Sequence, residues 1–150
     1  MMFGEFGGGG GGEFPGAWPG GIALAGLSAG EARLLWALRR MALMQPLGRA
    51  RCHAVHIALQ QDFGDAGQGI EHLLRCWLVG LSRHATRRVV IGEPACPMLM
   101  PDEARLLLAL RLAVCDPEAA AMALVPLAGV DGKLAIVPLL AAIAGLAEIS

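Results

Sequence analysis

The sequence predicts an all-α fold: a compact bundle of five to six helices over residues 25–150, behind a disordered Gly-rich N-terminal tail at residues 1–24. Three observations predict it. Ala and Leu, both strong helix formers, supply much of a hydrophobic content of 55%. Apolar residues recur at three- and four-residue spacing along most of the chain. Those runs are bracketed by helix-start residues (Ser, Asp, Pro) and by helix-stop residues (Gly, Pro). With 150 residues the chain fits one domain with a real core better than two.

The tail carries Phe3, Phe6, Phe14 and Trp18 among Gly and Pro. Its uninterrupted glycines at 7–12 are costly to order, because Gly loses the most backbone entropy on folding. The first helix follows. Ser28 with Glu31 three residues on is a capping-box signature, and Leu27, Leu34, Leu35, Leu38, Met41 and Ala42 form the apolar stripe. Arg33, Arg39 and Arg40 read as its solvated face, and Pro46 stops the run. A second helix is expected from Arg49 to Phe63, ending at Gly64, and a third from Gly69 to His84 after the turn GDAGQG.

Residues 88–91 suggest a short strand ahead of a Pro-bounded loop. Pro101, Asp102 and Glu103 open a fourth helix, where acids suit the dipole, and its body is apolar nearly all round. Asp116 and Pro117 read as N-cap and first residue of a fifth helix. The polar residues 131–133 separate it from a sixth at 134–147. That last run holds Pro138 and Gly145 and falls short of the roughly 20 apolar residues of a membrane span, so a core helix is the expectation.

Charge and composition narrow the function. A net charge of −1 exerts no strong pull on nucleic acid or membranes, and the absence of Tyr leaves little for a base-stacking platform. Of 12 cationic residues only Lys133 is Lys; the rest are Arg, read as a compositional bias that also favours Ala and Gly. The N-terminus shows neither the basic nor the apolar region of a signal peptide, and the four Cys form no C-x-x-C, so reduced thiols in a cytoplasm are expected.

One pattern points at chemistry. Cys52-x-x-x-His56 and His72-x-x-x-Cys76 lie at mirrored spacings on consecutive helices, and four such ligands would suit a tetrahedral zinc or copper site. At 100° per residue, however, Cys52 and His56 fall in the apolar stripe of their helix. His72 and Cys76 lie away from the stripe Ile70, Leu73, Leu74, Trp77, Leu78 and Leu81. The pairs are therefore expected not to converge, with Cys52 buried and His56 a core imidazole bonded to backbone. A Cys followed by His-x-x-x-Cys is similar to copper-sensing repressors, but the spacing between the parts differs and the rest of that pattern is missing.

Arg75, Arg83, Arg87 and Arg88 form a candidate patch for an anion or an acidic partner. As a DNA-binding element it fits poorly, because the third helix offers Leu, Trp and Val where base-reading polar residues belong. No nucleophile elbow, phosphate loop or calcium loop is present, and Asp102/Glu103 read as helix-start acids, so no enzyme is expected. The segment CPMLMPDEARLLLAL, residues 96–110, resembles an uncharacterised bacterial family of small helical proteins of unknown function, and that resemblance implies no activity. The apolar excess predicts a non-enzymatic interaction or regulatory protein that self-associates as a homodimer and carries no cofactor. The alternatives are a metal-binding or metal-sensing protein and a DNA-binding regulator.

Overall fold

A computed structural model describes residues 26–44, 46–47, 49 and 51–149; the expected tail lies outside the described residues. The fold is all-α. The elements are α1 (Ala29–Ala42), α2 (His53–Phe63), a 3₁₀ turn (Gly64–Ala66), α3 (Gly67–His84), α4 (Pro101–Leu112) and α5 (Pro117–Ala147).

α1 begins as its sequence dictates. The Ser28 hydroxyl accepts from the Glu31 N–H at 3.1 Å, and the Glu31 carboxylate accepts from the Ser28 N–H at 3.0 Å. The helix ends at Ala42, ahead of Pro46. Its stripe of Leu34, Leu35, Leu38, Met41 and Ala42 is buried, with Leu27 packed beside it. Arg39 is buried as well, contrary to the solvated face expected of it.

α2 starts at His53, later than the sequence suggested, because Cys52 occupies the N-cap position with an extended backbone. It stops at Gly64, whose positive φ of 60° turns the chain. The 3₁₀ turn then leads directly into α3. A Cβ on Gly67 would lie 2.6 Å from the Leu59 carbonyl oxygen, so the close approach of α3 to α2 requires glycine there. α3 buries Ile70, Leu74, Trp77, Leu78 and Leu81.

No strand forms among the described residues. Val89 and Met98 make only an isolated bridge. The run Val89–Ile91 has β propensity, but the N–H of Val90 within it and that of Gly92 just after it bond to side chains of α4, as described below. α4 starts at Pro101, buries Leu106, Leu107, Ala109 and Leu110, and packs against α5.

α5 is not straight. Gly129 adopts φ 69° and ψ −170°, a conformation essentially reserved for glycine, and the break falls there rather than at the polar residues 131–133. A straight helix would hold Pro117 and Pro138 about 31 Å apart, yet both line one cleft, so the chain doubles back at Gly129. The kink packs on the end of α3, where the Thr86 N–H and hydroxyl both donate to the Leu127 carbonyl at 2.9 and 3.3 Å. By length and composition α5 could cross a membrane; 39% of its most apolar window is buried inside the protein.

Candidate functional site

The Cys/His residues divide into separate contacts. Cys52 sits at the amide end of α2. Burial pushes its thiol up, but the N–H of Val55, the Arg40 guanidinium and the N–H of Ala54 together outweigh that and hold its pKa below the ordinary 9.0. His56 does not bond backbone through its ring as expected. It is half-exposed, and its Nδ1 lies 2.8 Å from Oε1 of the buried Glu71 on α3.

The other Glu71 oxygen accepts from Arg75 at 2.8 Å. Burial raises the Glu71 pKa, and the bonds from His56 and Arg75 more than reverse it, leaving the carboxyl below its ordinary range. Next to Glu71 in sequence, His72 is exposed, and its Nε2 stands 3.7 Å from the sulfur of Cys76, one helix turn on. Cys96 donates to the Met98 carbonyl at 3.4 Å. Among the described residues, no three His, Cys, Asp or Glu side chains gather as a metal site.

The Arg patch is likewise divided. Arg75 is turned inward to Glu71. Arg87 clamps Asp102 with two bonds, of 2.7 and 3.0 Å, and also donates to the Arg88 carbonyl. Arg83 remains exposed. A bidentate pair already satisfied within the chain has little left for an external anion.

The most connected polar group is one that helical periodicity misassigned. Arg39, 1% exposed, donates to both oxygens of Glu103 at 2.7 Å and to the carbonyls of Glu93, Cys96 and Met98 at 2.8–3.1 Å. Glu103, fully buried, also accepts from the N–H groups of Gly92 and Met100. Asp102 accepts from the Val90 N–H at 2.8 Å. These two acids and one guanidinium hold the loop at 88–100 where a sheet neighbour would otherwise be needed. The available signal was position: Arg39 follows Leu35 by four and precedes Ala42 by three, which puts it beside the stripe. Arg33 and Arg40, by contrast, flank the Trp36 ring, 4.9 and 5.4 Å from its centre.

Two clefts remain. One, of about 630 Å³, opens beside Ser28, Glu31, Arg111 and Glu148. Two of its charges satisfy each other: Arg111 forms a bidentate pair with Glu31 and, ahead of the opposing effect of burial, lowers that carboxyl's pKa. The other, of about 510 Å³, lies between residues 117–122 and 133–138, the two arms of α5. Of its lining residues, Met122 and Leu134 are 64% and 69% exposed, and Val130, next to the kink at Gly129, is 61% exposed. The excess apolar surface expected from composition is thus concentrated on α5, whereas α4 is largely enclosed.

No protein-family model matches this chain, and neither a curated protein nor a solved structure matches it.

Proposed function

We propose that this chain is a non-catalytic helical interaction protein that works by self-association, with the two arms of α5 as its contact surface. The observation that carries the reading is that Met122 and Leu134, each more than half exposed, line one apolar cleft together with Ala121 and Val137. Scattered exposed apolar residues need no explanation, but a contiguous set around a concavity marks an interface. The polar constellations support the same reading, because Glu71, Asp102 and Glu103 are engaged in holding helices and a loop together. All four cysteines are free, which suits a reducing cytoplasm.

Light scattering coupled to size exclusion tests the proposal. A dimer at micromolar concentration that becomes monomeric in Met122→Glu/Leu134→Glu is the expected result. A strict monomer overturns it. So does a protein that sediments with neutral lipid vesicles through the same two residues, since that assigns the face to a membrane.

A further inference from the structure

The apolar cleft of α5 has a charge at each end, and this says what covers it. Glu118 and Lys133 both line it, and neither forms an ion pair among the described residues. Glu118 lies 11 residues before Gly129 and Lys133 only 4 after it. Because the arms run in opposite directions from that kink, the two charges are offset by 7 residues, about 10 Å along the cleft. One end is therefore acidic, the other basic, and the floor between them is Ala121, Met122, Leu134 and Val137.

A surface of that kind complements itself. A two-fold axis through the middle of the cleft exchanges its ends, bringing each Glu118 onto the other copy's Lys133 while Met122 and Leu134 enter the facing cleft. A parallel stacking of copies would instead oppose like charges, which is strongly disfavoured. Resting on the self-association reading, we infer that the occupant is a second copy of this chain, docked antiparallel, with two symmetric Glu118–Lys133 pairs setting its register. Lys133 is the single Lys of the sequence, and a long flexible ammonium can follow a partner carboxylate across a rim without a fixed fork geometry.

Charge reversal tests the arrangement through the dimer dissociation constant, read by sedimentation at low salt with helicity checked by circular dichroism. E118K and K133E each create two like-charge contacts and are expected to weaken the dimer about ten-fold or more. The double variant E118K/K133E restores both pairs in reversed polarity and is expected to recover dimerisation to within about three-fold. If a reversal disturbs helicity, E118Q and K133Q measure the same pair with non-additive weakening as the expected result. Dimers indifferent to every one of these changes overturn the antiparallel register and leave self-association standing through another face. Single variants that weaken the dimer without rescue in the double also overturn it. A wild-type monomer removes the underlying reading as well.

Discussion

Replacing Glu103 by Gln is the sharpest perturbation of the loop-holding network. The carboxylate is fully buried and accepts four hydrogen bonds: two from Arg39, one from the Gly92 N–H and one from the Met100 N–H. Gln keeps the shape but removes the charge, leaving the Arg39 cation buried with only carbonyl partners. Breaking a buried pair on one side costs about 3–5 kcal/mol. The amide also presents its own N–H₂ to a donor that needs an acceptor, adding about 1 kcal/mol or more for an unsatisfied group. The sum, about 4–6 kcal/mol, is comparable with the whole stability of a small domain, about 5–15 kcal/mol. Urea unfolding followed by circular dichroism reads it. At a slope of about 1.5 kcal/mol per molar, the midpoint should fall by about 3 M. Gln61→Ala, at an exposed position of α2, serves as the control and should change stability by less than about 0.5 kcal/mol. An E103Q midpoint within about 0.5 M of the parent at an unchanged slope would refute the reasoning, because the Arg39 charge would then need no buried counterion.

Three further outcomes are expected. Gly129→Ala forces a side chain into a glycine-only conformation and brings its Cβ to 3.2 Å from the Thr86 methyl, so it should cost about 2–3 kcal/mol and lower the melting temperature by about 5–10 °C in calorimetry. Glu31 and Glu71 have pKa values held below the ordinary 4.5 in the folded protein, so their contribution is present above pH 4.5 and is lost as pH falls below it. Stability measured from pH 6 down to pH 3, chosen to bracket that value, should therefore drop, and Glu31→Gln/Glu71→Gln should flatten the drop. For Cys52, with the other three cysteines replaced by Ser, the alkylation rate should reach its half-maximum below pH 9.0, and Arg40→Gln should move that midpoint upward.

Local signals were legible where one residue fixes one terminus. Ser28 with Glu31 marked the start of α1, Pro101 that of α4 and Gly64 the end of α2, because each acts through bonds to its own neighbourhood. The alternation of faces on α3 was also readable, since Ile70 through Leu81 obey the helical period. What escaped was long-range pairing of polar groups. Periodicity sorts residues by type, so Arg39 was sent to solvent although its position is beside the buried stripe. Residues 88–91 look like a strand because propensity cannot know that Asp102 will take the N–H of Val90 and Glu103 that of the following Gly92. His56 and Cys52 suggested a shared ligand, yet the nearest partner of His56 is Glu71, fifteen residues on and on another helix. The apolar excess was visible in composition, but its placement on α5 depends on the reversal at Gly129.

The setting of Arg39 bears on a feature of composition. From α1 its planar guanidinium reaches α4 and three separate points of one loop at once, through nitrogens fixed in a single plane. An ammonium has three protons on one tetrahedral centre and cannot span those acceptors. Whatever mutational drift enriches arginine elsewhere in the chain, exchange for lysine at this position would dismantle the joint rather than preserve its charge.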